Sequence, residues 1–292
     1  MNKYLIFRTD RIGDFLISAI LIKSIKRNDK NSHITVLASN KNYNYIKSFK
    51  LVDQVILLEN TLINKLRLIK KLRSIFFEYI IIHDNKQRSF FISNFLKYEK
   101  KLYIKKKASH IEIIKDFISQ LNFTFNEEDL DLLINRYFEM NLPNKDYIVF
   151  HFDEKWFKNE YIKNFINIEP NVDELINFLK LLSLKKKEKL IITTGVNTPK
   201  ILHSLKFFLT KNDIQVYDNI NFFYLEHIIS NCKLLISCHG FSSHIAAACK
   251  IHQIDIIDKS YEYEKWTKHF RNYDYGYRNN FAKLKCEILN KL

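Results

Sequence analysis

Short apolar runs without polar alternation recur along this chain, and each is followed by a stretch with helical spacing. Tyr4 to Arg8, His33 to Ala38, Val52 to Leu58, Tyr79 to Asp84, Tyr147 to Phe152, Lys189 to Thr194 and Leu234 to Cys238 are such runs, some with polar residues at their ends. A strand that is apolar on both sides must be buried on both faces, which is the condition of a parallel sheet covered by helices. Strands alternating with helices imply right-handed βαβ crossovers. The periodicity predicts helices over 15–25, 42–49, 62–77, 90–96, 111–121, 172–184, 199–209, 222–231 and 243–249, and a helical tail over 278–292.

The rhythm runs twice. It loosens near Glu127 to Asn144, where Pro143 stands, and restarts at Tyr147. The 292 residues therefore divide into halves at 1–143 and 144–292, each about the size of one domain. The expected architecture is α/β, with two Rossmann-like domains facing each other across a cleft, and with the final helix packing back on the first domain. No stretch has the ~18 uninterrupted apolar residues of a membrane span, and Met1 to Arg8 has no signal-peptide pattern. A cytoplasmic location is the expectation. The four cysteines show no CxxC spacing and read as reduced thiols rather than as a disulfide framework or zinc site.

The formal charge of +15 has two readings. One is attraction to an anionic partner such as a phosphorylated glycolipid or the inner membrane leaflet. The other is compositional bias, since Lys, Asn, Ile, Phe and Tyr crowd the whole chain and only 9 of the 47 basic residues are Arg. Lys105-Lys106-Lys107 and Lys185-Lys186-Lys187 then read as solvated turns. Neither an Arg-rich face nor a nucleic-acid-binding module is present, so no nucleic-acid partner is expected.

With only four glycines in the chain, those that remain mark positions where a backbone is constrained or a ligand comes close. Gly13 lies in Thr9-Asp10-Arg11-Ile12-Gly13-Asp14, where the first strand hands over to the first helix. Asp10 is placed as an N-cap and Asp14 on the first helical turn, where the helix dipole stabilises a carboxylate. Asp14 there is either a simple capping residue or a general base whose proton acceptance is timed with bond making. Gly240 lies in Cys238-His239-Gly240-Phe241-Ser242-Ser243-His244, between a strand and a helix of small residues. Free amides at such a helix start form an anion site, for which a diphosphate is the natural occupant, with His239 and His244 as donors. Either histidine alone would read as structural. Thr193-Thr194-Gly195 is a third strand-turn-helix candidate for a phosphate or ribose, and Lys155, after the strand Tyr147 to Phe152, is either a surface lysine or a cation for a leaving phosphate.

These segments together resemble the lipopolysaccharide-core heptosyltransferases, glycosyltransferases of the GT-B fold in glycosyltransferase family 9. Arg8 to Ser18, followed by the strands at 33–38 and 52–56, is similar to that family's opening. Ser243 to Ala248 after the strand Leu234 to Cys238 is similar to its second signature, and His151 to Trp156 and Thr193 to Gly195 more loosely to two others. The resemblance implies an inverting, metal-independent transfer of a heptose or related sugar from a nucleotide-diphosphate donor such as ADP-heptose to a lipopolysaccharide-core or other cell-surface acceptor. It requires no cofactor and no metal. Asp14 corresponds to the catalytic base. Lys155, Thr194, Gly195, Phe223, His239, Gly240, Ser243 and His244 correspond to donor contacts, and Asp10, Arg11 and Gly13 lie on the acceptor side. Partners are then a nucleotide sugar and an anionic glycolipid or glycan, with peripheral contact with the inner membrane. His239 departs from the pattern, because the family carries an acidic residue there. A nucleotide-sugar epimerase and a non-catalytic nucleotide-sugar-binding protein are the alternatives on the same fold.

Overall fold

The computed structural model describes residues 1–105, 108–132, 146–157 and 165–292. The chain forms two compact units. The first comprises Met1–Leu132 with Glu264–His269, and the second Leu133–Tyr263 with Phe270–Leu292. The expected boundary at 143/144, with Pro143, lies outside the described residues, as does most of the expected linker. Its beginning is not loose. Glu127–Leu130 is a 3₁₀ turn in which the buried Asp129 takes a bidentate contact from Arg27 (both 2.9 Å) and one from Ser24 (2.7 Å).

The first unit holds strands β1 (Lys3–Phe7), β2 (His33–Ala38), β3 (Gln54–Leu57), β4 (Phe76–Ile82) and β5 (Lys97–Tyr103). Its helices are α1 (Ile12–Asn28), α2 (Tyr43–Lys47), α3 (Leu62–Leu72), α4 (Gln87–Ser93) and α5 (His110–Gln120). The sheet order is β3-β2-β1-β4-β5, all parallel. Leu5 and Phe7 of β1, Leu68, Ile69 and Leu72 of α3, and Ile92 of α4 close one core layer. The helix expected over 62–77 stops at Leu72. Phe76 and Phe77 begin β4 instead, because β-branched and aromatic residues from Ile75 on favour the pleated surface.

The second unit holds β6 (Tyr147–His151), α6 (Val172–Lys185), β7 (Lys189–Thr193), α7 (Lys200–Ser204), α8 (Lys206–Lys211), β8 (Gln215–Tyr217), α9 (Phe222–Ser230), β9 (Leu234–Cys238), α10 (Phe241–Ala248), β10 (His252–Ile257), β11 (Tyr273–Tyr277) and α12 (Phe281–Asn290). The short helix α11 (Glu264–Thr267) belongs with the first unit. The sheet order is β11-β10-β9-β6-β7-β8, again all parallel. The single helix expected over 199–209 is two short helices broken at Leu205.

The last helix belongs to the second unit. Phe281, Leu284, Ile288 and Leu289 of α12 enter the second unit's core beside Phe178 and Leu179 of α6. The segment that joins the first unit is Glu264–His269, where Trp266 packs on His110 with ring centroids 5.6 Å apart and Lys268 pairs with Glu112. All four cysteines are free thiols, as expected, and burial pushes Cys238 up to about 12. Among the described residues no helix is long and apolar enough to cross a membrane.

Candidate functional site

In each sheet the strand order reverses beside the first strand of the unit. In open α/β sheets ligands bind in the crevice outside the carboxyl ends of the strands at that reversal. Both candidate centres lie at such a point.

In the first unit the reversal falls between β1 and β4. Arg8 and Thr9 leave β1 and meet His83 and Asp84 leaving β4. Arg8 is only 2% exposed. Its guanidinium donates from Nε to the Asp14 carbonyl (2.8 Å) and from Nη1 to the His83 carbonyl (2.7 Å). Its Nη2 lies 3.8 Å from the Asp14 carboxylate and makes no hydrogen bond. Thr9 donates to Asp84, and Arg88 donates to Thr9 Oγ1 (2.7 Å). The turn is thereby fixed from both strands.

The helix start is one residue later than expected. Arg11 is the N-cap, and Asp10 pairs instead with Lys86 and Arg8. With Arg11 as cap, Asp14 occupies the third helical position, and its carboxylate accepts the Arg11 amide at 3.1 Å. That is half of a capping box, in which the carboxylate satisfies an orphan helix donor. Asp14 retains 29% side-chain exposure, so one carboxylate serves the cap and still reaches solvent. Gly13 is buried on the same turn. Beneath it, His83 takes part in a 2.8 Å hydrogen bond with Ser18, and its Nε2 is buried without a partner. Burial, reinforced by Arg8, drives His83 well below the ordinary histidine value and brings His110 down to about 4. Both imidazoles are neutral at pH 7.

In the second unit the reversal falls between β6 and β9. Asp153, 4% exposed, caps the 3₁₀ turn Glu154–Trp156 after β6 and holds the Lys155 ammonium at 2.7 Å. Burial alone would raise the Asp153 carboxyl, but Lys155 and His151 outweigh it and hold it well below the usual carboxylate range. Burial alone would lower the Lys155 ammonium, but Asp153 leaves it above the ordinary lysine value. Lys155 is therefore charged at neutral pH. It is not a surface lysine, since its side chain is only 18% exposed.

That ammonium reaches across to the β9 turn. A Cβ built on Gly240 would lie 2.5 Å from Lys155 Nζ. Any side chain here would push that ammonium aside. The backbone is extended (φ 168°), and no described glycine has positive φ in the left-handed region. The left-handed turns fall to Asn85, Asn122, Asn219 and Asn272, with Asp213 and Lys250. Gly240 caps α10, whose first amides lack intrahelical partners. The Ser242 hydroxyl beside them is 1% exposed and has no hydrogen-bond partner.

His239 is tied from behind. Its Nδ1 lies 2.6 Å from Asp255 Oδ2, and Asp255 is fully buried on β10. Asp255 also accepts Ser243 (2.8 Å) and Tyr273 (3.3 Å). His244 packs edge-on to His239 at 5.5 Å and to Phe270 at 5.3 Å. Lys155, His239, Gly240, Ser243 and His244 are thus brought together.

Thr194, Gly195 and Phe223 are placed differently. Thr194 is buried and its hydroxyl accepts the Asn219 amide (3.0 Å). A Cβ on Gly195 would strike the Glu154 carboxylate, which accepts the Asn197 amide at 2.6 Å. A carboxylate seated on this turn disfavours a phosphate beside it. Phe223 follows the Asn221 cap of α9, whose neighbour Phe222 packs edge-on against Phe241 of α10 at 5.2 Å. Sequence reasoning missed Arg8, Asp153 and Asp255. Asp255 had a signal, a lone carboxylate inside the apolar run Gln253 to Ile257.

No family model matches the sequence, and no curated protein matches it by sequence. Solved structures do match in fold. Heptosyltransferase WaaC from E. coli, solved with ADP-2-deoxy-2-fluoro heptose, aligns over 99% of this chain and 100% of its own at 14% identity, with a TM-score of 0.74. A glycosyl transferase family 9 protein from Veillonella parvula aligns over 98% and 89% at 11% identity, TM-score 0.73. UDP-GlcNAc 2-epimerase from Methanocaldococcus jannaschii aligns over 100% and 92% at 11% identity with a lower TM-score, 0.59. The fold is thus the two-unit parallel α/β architecture of these proteins, GT-B, as the sequence resemblance implied.

Proposed function

We propose that the chain is an inverting, metal-independent glycosyltransferase that moves a sugar from a nucleotide-diphosphate donor to a hydroxyl of a cell-surface glycan or glycolipid. The observation that carries this reading is the second unit's reversal point. There a charged, largely covered lysine lies against the start of α10, beside an unpartnered serine hydroxyl. Such a place suits a diphosphate, because a cation and oriented amides act where negative charge develops on the leaving group.

In this reading Asp14 accepts the proton of the acceptor hydroxyl as its oxygen bonds to the anomeric carbon. The bond from that carbon to the donor phosphate breaks on the opposite side. The nucleoside diphosphate leaves with both electrons, and Lys155 and the α10 amides offset its charge. The chemistry needs no cofactor. The likeness to the heptosyltransferase bound to an ADP-heptose analogue supports a heptose or related donor. His239 stands where the resemblance implies an acidic residue, so a donor related to ADP-heptose is as much in keeping with the site as ADP-heptose itself. An anionic, lipid-linked acceptor on the cytoplasmic side of the inner membrane fits the basic charge of the chain.

The test is product analysis with a panel of nucleotide sugars, with and without a lipopolysaccharide-core acceptor. Transfer that requires the acceptor supports the reading. Epimerised nucleotide sugar formed without any acceptor would move the protein to the epimerases, and binding without turnover would make it a non-catalytic binder.

A further inference from the structure

The helices α3 and α4 close the same core layer of the first unit, yet their outer sides are unusually apolar. On α3, Leu62 and Ile63 are each 63% exposed and Leu66 is 52% exposed. At 100° per residue these three fall on one flank, continuous with the buried side of Leu68, Ile69 and Leu72. On α4 and just after it, Phe91 and Phe95 are 42% and 54% exposed and pack on each other at 5.2 Å. Isolated exposed leucines need no explanation, but two helices of one core layer that both turn large side chains outward do.

The charges on α3 identify the occupant. Lys70 lies on the same flank as Leu62, Ile63 and Leu66, and Arg67, Lys71 and Arg73 lie beside it, all exposed. The helix carries no acidic residue. A second protein surface of matching chemistry would need its own apolar face ringed by carboxylates. A bilayer rich in anionic headgroups offers both parts at once, with apolar depth beneath negative phosphates. Helices with this division lie in the plane of the interface, and basic side chains strengthen the attachment.

We infer that the first unit attaches to anionic bilayer surfaces through the outer face of α3 and α4, with Leu62, Ile63, Leu66, Phe91 and Phe95 inserted and Arg67, Lys70 and Lys71 on the headgroups. The inference locates the membrane contact and does not depend on the transfer chemistry, because vesicle binding is measured without substrates.

Co-sedimentation with phosphatidylcholine vesicles, with and without phosphatidylglycerol, tests it on the full chain. The protein should pellet with the anionic vesicles, stay largely in solution with the neutral ones, and bind less at high salt. Replacing Leu62, Ile63 and Leu66 together by Ser should weaken binding at least ~30-fold, since each inserted side chain contributes through its buried area. Lys70→Glu with Lys71→Glu should weaken it at least ~10-fold, whereas Lys186→Glu with Lys187→Glu, reversing as many charges elsewhere, should weaken it much less. All these positions are exposed or half-exposed, and circular dichroism checks that the variants fold. Equal binding of the triple variant and the parent would overturn the inference. So would binding that needs no anionic lipid, or a dimer in solution that the triple variant abolishes, which would give this face to a second copy of the chain.

Discussion

Replacing Lys155 by Met separates what the lysine does for the fold from what it does for the donor. The side chains are of similar length, so the change chiefly deletes a charge. It leaves Asp153, 4% exposed, without the ammonium at 2.7 Å. Removing one member of a buried ion pair costs roughly 3–5 kcal/mol, because the other charge stays buried and uncompensated. Lys155 keeps 18% exposure, so water relieves part of this and the lower figure applies. A loss of about 3 kcal/mol corresponds to about 6–12 °C in the unfolding temperature of a unit this size.

The pH dependence carries the sign. In the parent, Asp153 sits below its unfolded value, so its contribution is present above the unfolded carboxylate range and is lost as the pH falls. In Lys155→Met burial acts on Asp153 without its main opponent and pushes the carboxyl up. Protonation then relieves the buried charge, so the gap between parent and variant should narrow as the pH is lowered. Adding Asp153→Asn removes the stranded charge and should recover most of the lost stability. It should not recover nucleotide-diphosphate affinity, which needs the cation. Thermal unfolding from pH 8 to pH 5 and calorimetric titration of ADP and UDP read the two effects. If Lys155→Met unfolds within 2 °C of the parent at pH 7, or if the double variant binds the diphosphate like the parent, the reasoning fails.

Four further outcomes follow from the same geometry. Asp14→Asn keeps an oxygen for the Arg11 amide, so folding and donor binding should hold while transfer falls by at least the ~10²–10⁴ of a lost general base; near-normal turnover would remove Asp14 from that role. Gly240→Ala should keep the fold, since the end of a flexible lysine can move, but should displace Lys155 and weaken diphosphate binding, and unchanged affinity in calorimetry would separate the lysine from the donor. Trp156→Phe loses the Nε1 bond to the His151 carbonyl (2.8 Å) in a fully buried place and should cost about 1–3 kcal/mol in denaturant unfolding. The neutral histidines make the first unit acid-sensitive: His83 and His110 lie below their unfolded values, so the unfolded chain binds protons first and stability should fall from about pH 6.5 toward 4, with a shallower fall in His110→Gln.

The central strands were legible because they are buried on both faces, and burial writes itself as an unbroken apolar run. His33–Ala38 and Leu234–Cys238 match their runs to the residue. β11 and α11 were not legible. Tyr273-Asp274-Tyr275-Gly276-Tyr277 is an edge strand, one side of which meets water, so no apolar run marks it. Glu264–Thr267 is a single turn held by Trp266 on His110, a partner far away along the chain. The candidate residues were legible where a turn residue was scarce, as at Gly13 and Gly240. The groups that set their electrostatics were not, because Arg8 and Asp255 act through contacts between strands adjacent in the sheet but distant in sequence, and Asp153 acts on Lys155 only once the turn after β6 is formed.

Asp255 changes what the departure at His239 means. By the sequence resemblance alone, His239 would exchange a carboxylate for an imidazole. In the folded chain the imidazole is backed by a buried carboxylate at 2.6 Å, which fixes its Nδ1 and so leaves Nε2 as the atom for a ligand. A carboxylate is therefore retained behind the imidazole, and the group in front of it can accept or donate one hydrogen bond where a carboxylate only accepts. His239→Asp is then a poor way to restore the family pattern. It would set two carboxylates side by side, one of them fully buried, and like charges so placed cannot both ionise at little cost. His239→Asn tests the position without that conflict, and His239→Asp with Asp255→Asn moves the carboxylate forward while keeping one charge. If the donor preference follows the position of the carboxylate in that pair, sugar choice is set by Asp255 and His239 together; if His239→Asn leaves the preference among nucleotide sugars unchanged, the pair serves only to hold the β9 turn.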